Sequence, residues 1–497
     1  LLLAVRAVEL MHHAGIPKAA IQLLPGTGAT VGAGLTSDAR VNGVCFTGST
    51  MTAQRINKAM TEHMEPDAPL VAETGGLNAM IVDSTALPEQ VVRDVLASSF
   101  QSAGQRCSAL RMLYVQKDIA DNLLEMLYGA MEELGIGDPW LLSTDVGPVI
   151  DENARKKIND HCQKFEQQGK LLKKIKVPEK GLFVSPAVLQ VSGIEELEEE
   201  IFGPVLHVAT FEAKDIDKVV DAVNAKGYGL TFGIHSRVDS RIEHIASRIK
   251  VGNTYVNRNQ IGAIVGSQPF GGEGLSGTGP KAGGPQYVRR FLRAEVAHKR
   301  SESSNKVLGA DKVQKLIDKL EKVEVAAADR RKEALRPWFK TVPAPLDLGY
   351  EEMPGPTGEQ NHLSCHARGT ILCLGPDAES AVEQAGTALS QGNKVVVIAP
   401  GAEKDLADAI KAGLPVVAAD GVIAPDALTQ LEGYAAITSV AEKPLLKQYR
   451  QALARRDGAL LPIITEHKLD QRYVIERHLC IDTTAAGGNA SLIASAE

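Results

Sequence analysis

Short apolar runs alternate with longer amphipathic segments along most of the chain. A short run bounded by turn residues is typical of a buried strand, and a long segment with one apolar face is typical of a helix. Strands that are joined through helices favour a parallel sheet with crossover connections. The pattern therefore predicts an α/β fold built on parallel sheets.

The first block is expected to end near residue 70. Its pattern predicts, in order, a helix at 1–14, a strand at 21–24, a glycine-rich turn at 25–32 that leads into a helix, a strand at 43–50 and a helix to about residue 60. Gly15 and Pro17 stop the first helix, because glycine and proline are common just beyond helix ends. Residues 1–14 resemble the middle of an amphipathic helix, so part of a parallel-sheet domain is expected upstream of them.

The second block continues the alternation to about residue 259. Strands are predicted at 79–83, 111–115, 183–188, 206–211, 230–235 and 252–256, and helices at 88–102, 118–134, 151–169, 215–225 and up to residue 250. A glycine-rich loop at 262–284 closes this block. Polar residues at 294–305 indicate a boundary beyond it.

The remaining chain predicts a smaller α/β unit behind a connecting segment. The pattern favours a charged helical region at 311–336 and a linker or surface crossing, rich in proline, glycine and glutamate, at 343–362. It also favours strands at 370–374 and 394–398, helices at 378–391 and 402–412, and a small polar tail at 483–490. The predicted domains are therefore 1–70, 71–300, 301–365, 366–478 and 479–497.

Composition narrows the class of protein. The 497 residues carry a net charge of −7, which argues against a general nucleic-acid surface in this chain. No apolar run approaches the roughly 20 residues that span a bilayer. The six cysteines are scattered, which indicates neither a zinc site nor a disulfide framework. We predict a protein of the cytoplasm with reduced thiols and no metal.

Cys107 and Glu73 are the candidate catalytic pair. Cys107 lies between Arg106 and Ser108 after a small-residue turn, and a neighbouring positive charge lowers the pKa of a thiol. Glu73 lies beside a glycine pair, where a carboxylate can face a cleft as a general base. A thiol nucleophile and a carboxylate base suit the covalent oxidation of an aldehyde. The alternatives are a buried structural cysteine and an exposed turn glutamate.

Two further stretches have the chemistry of a nucleotide site. Thr47-Gly48-Ser49 carries a strand into a helix, and helix N-termini bind anions such as pyrophosphate. Gly26 begins a glycine-rich turn that does not match the standard dinucleotide fingerprint. Glu200 and Phe202 are candidates to hold a ribose and a nicotinamide ring. Ordinary helix capping and a solvated charged face are the alternatives.

Together these stretches resemble the aldehyde dehydrogenase superfamily. The resemblance rests on five motifs in order: Phe46-Thr47-Gly48-Ser49-Thr50, Glu73-Thr74-Gly75-Gly76, Gly104-Gln105-Arg106-Cys107, Glu200-Ile201-Phe202-Gly203-Pro204 and Pro269-Phe270-Gly271-Gly272. It implies that Cys107 is the nucleophile and Glu73 the hydrolytic base. It also implies NAD as cofactor, bound by Gly26, Thr47, Gly48, Ser49, Thr74, Gly75, Glu200 and Phe202.

The glycine-rich loop restricts the resemblance to one branch of the superfamily. Residues 262–285 resemble the L-glutamate-γ-semialdehyde (1-pyrroline-5-carboxylate) dehydrogenase branch, whose product is L-glutamate. This implies a substrate site formed by Arg106, Ser108, Gly262, Ala263 and Phe270, with Gly262, Ala263 and Ser108 around the α-carboxylate and Phe270 against the aliphatic part. A different semialdehyde of similar length is the alternative substrate.

The second α/β unit and the tail resemble the long form of the bacterial bifunctional proline utilization A family. That resemblance implies an upstream FAD-dependent proline dehydrogenase domain on the same polypeptide. Some members of the family also carry a separate DNA-binding segment. It implies a homo-oligomer, with possible peripheral membrane association of the parent. It further implies a second Rossmann-like domain without catalytic residues, which covers the passage of the intermediate. A non-catalytic scaffold is therefore the alternative role for this domain.

The same resemblance places two functional elements of the family before Leu1 in the usual order of the chain. They are the asparagine that completes the oxyanion hole and the Lys-x-x-Glu stretch that holds the adenosine ribose. Loss of one oxyanion donor typically costs about 10² to 10³ in rate. The 497-residue chain made alone is therefore expected to be inactive and poorly folded.

Overall fold

The structure is a computed structural model that describes residues 1–292, 298–300, 306–340, 342–466 and 470–484. Its architecture is α/β, as the apolar pattern predicts. The α-helices span Leu2–His13, Ala33–Thr36, Thr50–His63, Pro88–Phe100, Lys117–Glu132, Glu152–Gln167, Ile216–Ala225, Asp239–Arg248, Ala310–Leu320, Ala328–Leu335, Ala378–Ser390, Ala402–Asp405, Ala407–Lys411 and Lys443–Ala454.

The larger sheet has ten strands. From one edge to the other they are Tyr350–Met353, Glu359–Ala367, Val474–Asp482, Asn253–Val256, Thr231–His235, Ala79–Val82, Met112–Gln116, Val205–Phe211, Ala187–Gln190 and Leu171–Lys174. Central neighbours pair in parallel, and the antiparallel pairings lie towards the two edges. The central strands Ala79–Val82 and Met112–Gln116 are buried at every position, which explains their continuous apolar runs.

The smaller sheet has five parallel strands. Their order is Val416–Ala419, Lys394–Ile398, Thr370–Cys373, Ala436–Thr438 and Ile463–Ile464. The helices Ala310–Leu320 and Ala328–Leu335 pack into its two hydrophobic cores through Ile317 and Leu335. The small unit therefore includes much of the charged helical region before it.

Three short pairings complete the sheets. Val44–Thr47 pairs in parallel with Leu70–Glu73, Tyr228–Gly229 is antiparallel to Glu273–Gly274, and Val307–Leu308 is parallel to Val422–Ile423. Among the described residues, we find no helix with the length and apolar character needed to cross a bilayer.

The prediction of a linker at 343–362 is wrong for its second half. Tyr350–Met353 and Glu359–Ala367 form an antiparallel hairpin at the edge of the larger sheet. The prolines and glycines between them form the turn of that hairpin, where Gly358 has a φ of 89°. Turn residues therefore mark a connection between strands here and not an extended linker.

The predicted boundary at residue 478 falls inside a strand. Val474–Asp482 lies between Glu359–Ala367 and Asn253–Val256 in the larger sheet, antiparallel to the first and parallel to the second. The small unit is thus inserted between two neighbouring strands of the larger sheet. Residues 485–497 of the predicted tail lie outside the described residues, as does most of the predicted boundary at 294–305.

Smaller differences have local causes. The predicted strand at 21–24 is wrong, because no neighbouring strand in the described chain pairs with it and Leu24 is exposed. The predicted helix at 311–336 breaks into two at residues 321–327. The strand predicted at 183–188 is shifted to Ala187–Gln190, which pairs with an unpredicted edge strand at Leu171–Lys174.

Candidate active site

Cys107 follows a tight turn between the helix Pro88–Phe100 and the strand Met112–Gln116. Positive φ angles of 57°, 54° and 65° occur at Ser102, Ala103 and Gly104. A Cβ on Gly104 would lie 2.1 Å from the carbonyl oxygen of Gly203, so only glycine fits at this position. The cysteine turn is therefore pressed against the chain that follows Glu200.

Asn78 fixes the backbone on both sides of Ser108. Its Nδ2 donates to the carbonyl oxygens of Cys107 at 2.7 Å and Ala109 at 2.9 Å. Its Oδ1 accepts the N–H of Thr231 at 3.2 Å, and the Thr231 hydroxyl donates to the carbonyl of Ser108 at 3.1 Å. Two central strands of the larger sheet thus hold the Cys107 peptide in one orientation.

Arg111 joins the cysteine turn to Glu200. The buried guanidinium donates to the carbonyl oxygens of Gly104 at 2.7 Å, Gly203 at 3.1 Å and Arg106 at 3.0 Å. It also donates to Oε1 of Glu200 at 2.9 Å and 3.2 Å. Burial lowers the pKa of Arg111 and raises the pKa of Glu200, and each charge partly offsets the cost of burying the other.

The Cys107 thiol is partly buried, and burial raises its pKa. The carboxylates of Glu200 and Glu73 raise the pKa of Cys107 further, whereas backbone N–H groups lower it. The expectation of a lowered pKa beside Arg106 is therefore wrong. The Nε of Arg106 donates back to the Ser102 hydroxyl at 3.0 Å, so part of its donor capacity is directed to the turn.

Glu73 ends the strand Leu70–Glu73 with a carboxylate that is largely enclosed. Its Oε2 accepts the N–H of Gly272 at 2.8 Å, and its buried Oε1 has no hydrogen-bond partner among the described residues. Burial raises the pKa of Glu73 to about 8, although the Gly272 N–H and the Lys281 ammonium both act to lower it. This environment suits a general base that titrates near neutral pH. It excludes the alternative that Glu73 is an exposed glutamate of a turn.

The predicted pyrophosphate residues lie beside Glu73. Parallel pairing places Thr47 opposite Glu73, and the N–H of Gly48 donates to the Glu73 carbonyl at 3.1 Å. Ser49 caps the helix Thr50–His63, with its hydroxyl accepting the N–H of Thr52 at 3.2 Å. The capping alternative is therefore observed, and the exposed helix N-terminus still has the polarity that suits an anion.

Two other predicted cofactor residues have local partners. The buried Thr74 hydroxyl donates to the carbonyl of Leu275 at 2.6 Å, which ties it to the glycine-rich loop. A Cβ on Gly26 would lie 2.2 Å from Cγ2 of Val31, so glycine admits that side chain. Both residues have clear packing roles, and their predicted contacts with a cofactor stay predictions.

Gly75, Glu200 and Phe202 lie together at one side of the cysteine turn. A Cβ on Gly75 would lie 1.7 Å from Oε2 of Glu200, so this glycine leaves room for the carboxylate. The ring of Phe202 is 44% exposed, and the Arg111 guanidinium lies 5.3 Å from its centroid. An exposed aromatic face beside a carboxylate fits a nicotinamide riboside, although here Glu200 is paired with Arg111.

The predicted substrate residues partly converge. The Nη1 of Arg106 lies 3.8 Å from the position that a Cβ on Gly262 would take. Gly262 is exposed with a φ of 72°, Ala263 next to it is half-buried, and Ser108 is buried. Phe270 is half-buried. A guanidinium beside an accessible glycine loop can bind a carboxylate.

Sequence reasoning missed the residues that hold this site in shape: Asn78, Arg111, Asn253 and Lys281. Each is at most 3% exposed. A charged or amide side chain within or beside an apolar strand run is a signal for such a role, because burial is costly without partners. Arg111 is such a residue, because a charged side chain begins the otherwise apolar run at 111–115.

The site can be compared with known proteins. The Aldehyde dehydrogenase family model matches residues 1–296. Bifunctional protein PutA of Salmonella typhimurium is 41% identical over 519 residues, which cover 99% of this chain and 39% of that protein. This chain therefore spans about two-fifths of the length of that relative.

Solved structures agree with the fold. The crystal structure of a bifunctional proline utilization A (PutA) protein is 53% identical with a TM-score of 0.57, over 58% of this chain and 29% of that one. A 1-pyrroline-5-carboxylate dehydrogenase from Thermus with bound NAD is 34% identical with a TM-score of 0.54, over 58% of this chain and 56% of that one. The predicted fold class is confirmed, and the chain belongs to the aldehyde dehydrogenase family.

Proposed function

We propose that the protein containing this chain oxidises L-glutamate γ-semialdehyde to L-glutamate with NAD⁺ as the oxidant, in the second step of proline catabolism. One observation carries the proposal. The buried carboxylate of Glu73, with a pKa of about 8, lies close enough to Cys107 to raise the pKa of its thiol. A thiol nucleophile and a carboxylate base that act on one another suit acyl transfer to water. The similarity to Bifunctional protein PutA and to a 1-pyrroline-5-carboxylate dehydrogenase supports the substrate class.

The first half of the reaction belongs to Cys107. Its thiolate attacks the aldehyde carbon, which forms a C–S bond and a tetrahedral oxyanion. The turn and Asn78 hold the peptide of Cys107 so that its backbone N–H can face that oxyanion. The raised pKa means that the thiol is mainly protonated at neutral pH, so attack requires loss of that proton.

The residues present fit a dinucleotide in part. The exposed Thr47-Gly48-Ser49 turn at a 14-residue helix would hold the pyrophosphate. The exposed ring of Phe202 and the carboxylate of Glu200 would hold the nicotinamide riboside. Bound NAD⁺ would supply the two-electron acceptor that converts the tetrahedral adduct into a thioester.

The second half belongs to Glu73. Its Oε1, which has no hydrogen-bond partner among the described residues, accepts a proton from water while the water oxygen attacks the thioester carbon. The C–S bond then breaks, which releases the new carboxylate and regenerates the Cys107 thiolate. A general base typically contributes 10²- to 10⁴-fold to such a step.

The substrate carboxylate is assigned to the Arg106 side of the Gly262-Ala263 loop. The guanidinium of Arg106 approaches Gly262, and a carboxylate there would gain a charge-assisted hydrogen bond. The buried Ser108 lies next to the nucleophile. Another semialdehyde of similar length would use the same anchor and is the second candidate.

A substrate panel tests this assignment. The full-length protein is assayed for NADH formation with L-glutamate γ-semialdehyde, succinate semialdehyde and propanal. We expect Arg106→Gln to raise the KM for the carboxylate-bearing aldehydes about tenfold or more and to leave propanal unchanged. Arg237→Gln, at an exposed arginine, is the matched control. No NADH from the γ-semialdehyde in the wild-type protein would end the proposal.

The small α/β unit is proposed as a non-catalytic cover within a bifunctional cytoplasmic protein that has an upstream FAD-dependent proline dehydrogenase. Supporting this role, a cavity of about 360 Å³ lies between the glycine-rich loop and this unit, with Lys281, Arg368 and Glu476 among its lining residues. Within the small unit, burial raises the pKa of the Cys373 thiol well above its ordinary value, which disfavours a nucleophilic role for that thiol.

A further inference from the structure

One peptide group separates Lys281 from Glu73. The Nζ of Lys281 donates to the carbonyl oxygen of Gly271 at 2.7 Å. The next N–H, that of Gly272, donates to Oε2 of Glu73 at 2.8 Å. The ammonium therefore holds one end of the peptide whose other end holds the carboxylate.

Lys281 is buried, and its contacts fix the position of its side chain. Its side chain is 2% exposed, which is rare for a lysine. Its Nζ also donates to Oδ1 of Asn253 at 2.8 Å, and that oxygen accepts the N–H of Gly271 at 3.3 Å. A Cβ on Gly252 would lie 1.8 Å from the Gly271 carbonyl oxygen, so the packing leaves the peptide little room to move.

We infer that Lys281 is the positioning residue of the hydrolytic base: it orients Glu73 through the Gly271–Gly272 peptide, and its positive charge favours the carboxylate form that accepts the proton of water. The inference rests on the proposed role of Glu73. The hydrogen bond from Gly272 occupies Oε2, so Oε1 is the oxygen left for water. The Nζ of Lys281 donates to Asn253 and to the Gly271 carbonyl, so Lys281 acts through Glu73.

The charge of this region has several contributors. The titratable and charged groups that act on Lys281 or Glu73 are Glu273 in the glycine-rich loop, Glu476, Arg477 and His478 on the strand Val474–Asp482, Cys107 on its turn, and Tyr287. Glu476 also accepts the backbone N–H of Lys281 at 3.1 Å. Lys281 is the cation whose charge acts to lower the pKa of Glu73.

The direction in which Lys281 shifts the pKa of Glu73 follows from the opposing effects of burial and charge. Burial raises the pKa of Glu73 to about 8 and lowers the pKa of Lys281 to about 8, and each charge opposes the shift of the other. Removal of the ammonium therefore raises the pKa of Glu73 further. A smaller fraction of Glu73 is then ionised at neutral pH, and thioester hydrolysis becomes slower there.

The test uses two variants in the full-length protein. Lys281→Gln removes the charge and keeps an N–H donor, whereas Lys281→Arg keeps the charge. Lys312→Met, at an exposed lysine of the helix Ala310–Leu320, is the control. Acylation and deacylation are followed separately by stopped flow across pH 6 to 10, with the γ-semialdehyde and NAD⁺ and, in parallel, with 4-nitrophenyl acetate.

We expect Lys281→Gln to move the acid limb of deacylation up by about one pH unit, with deacylation at pH 7 about tenfold slower. The initial burst should keep its amplitude, and Lys281→Arg should keep the wild-type limb. A limb that stays in place in Lys281→Gln, or that moves equally in Lys281→Arg, overturns the inference. A merely structural role would slow both steps at every pH.

Two controls keep the result decisive. The ester acylates Cys107 without aldehyde or NAD⁺, so a wild-type protein that hydrolyses it but never oxidises the γ-semialdehyde would refute the proposed function and still test Lys281. If Lys281→Gln fails to fold, Glu73→Gln/Lys281→Gln is expected to fold, since a neutral glutamine needs no counter-charge. Failure of the double variant as well would contradict the inference.

Discussion

The Nη2 of Arg111 lies 2.9 Å from Oε1 of Glu200 and donates to the carbonyl of Arg106 at 3.0 Å. The Arg111 side chain is 1% exposed and that of Glu200 16%. One buried ion pair thus braces the residue before the nucleophile against the turn that presents Phe202. The shape of the nucleophile's turn and the position of the predicted ribose contact depend on the same guanidinium.

Arg111→Met is expected to lower the stability of the protein. Removal of one partner of a buried pair leaves the other uncompensated, which typically costs about 3–5 kcal/mol. Three backbone carbonyls also lose their donor. Thermal unfolding measures the loss. Arg155→Met, at the exposed pair with Glu152, should change stability by less than about 1 kcal/mol. Equal effects of the two changes would contradict the bracing role.

Glu200→Gln is expected to lower the pKa of the Cys107 thiol. The Glu200 carboxylate raises that pKa, and its removal also leaves the Arg111 cation unopposed near the thiol. The rate of alkylation by iodoacetamide as a function of pH reports the thiolate. We expect faster alkylation at pH 7 than in the wild type. Glu198→Gln, in the exposed part of the same acidic run, should leave the profile unchanged.

Hydrolysis of the thioester should rise with pH up to about 8. The carboxylate form of Glu73 is the proposed base. Burial raises the pKa of Glu73 to about 8, so this form is lost as pH falls below that value. Glu73→Gln should abolish this limb and slow deacylation about 10²- to 10⁴-fold. The first burst of NADH should remain. A Glu73→Gln protein that turns over like the wild type would remove Glu73 from the mechanism.

Gly252→Ala should impair activity more than stability alone explains. The new Cβ would meet the carbonyl oxygen of Gly271 at 1.8 Å, which forces the Gly271–Gly272 peptide away from Glu73. Slow deacylation at pH 8 is the expected result in single-turnover kinetics. Gly129→Ala is the matched control, because nothing lies within 4 Å of its added Cβ in the helix Lys117–Glu132. That change should stabilise the protein by about 0.5–1 kcal/mol.

Deletion of residue 369 and all residues after it should remove the small α/β unit and also disrupt the larger sheet. The strand Val474–Asp482 pairs with Glu359–Ala367 over nine positions and supplies Glu476 to the Lys281 loop. We expect the truncated protein to be insoluble or to lose oxidation of free aldehyde, as measured by NADH formation. Full activity of the truncated protein with free aldehyde would show that this strand is dispensable.

Much of the larger sheet is predictable from the sequence. The strand Ala79–Val82, for example, is a continuous apolar run, because both of its faces are buried. The ordered motifs around Cys107 and Glu73 identify the family for a similar local reason. These two motifs combine glycines at close backbone approaches, Gly75 and Gly104, with a side chain that we propose to be catalytic.

The rest depends on contacts between distant parts of the chain. Nothing local to residues 474–482 places them in the middle of the larger sheet, since that position is set by pairing with residues more than a hundred positions away. The partnership of Lys281 with Glu73 likewise joins residues that are far apart in sequence. The adjacent Arg106 suggests a lowered pKa for Cys107, whereas burial and two carboxylates remote in sequence raise it.

Intact-protein mass spectrometry tests the central claim most directly. Glu73→Gln full-length protein is mixed with L-glutamate γ-semialdehyde and NAD⁺ and is quenched with acid within the first turnover. The account predicts one thioester adduct per chain, located on Cys107 by peptide mapping and absent from Cys107→Ala/Glu73→Gln. An adduct on another residue, or NADH formed by Cys107→Ala at the wild-type rate, would contradict it.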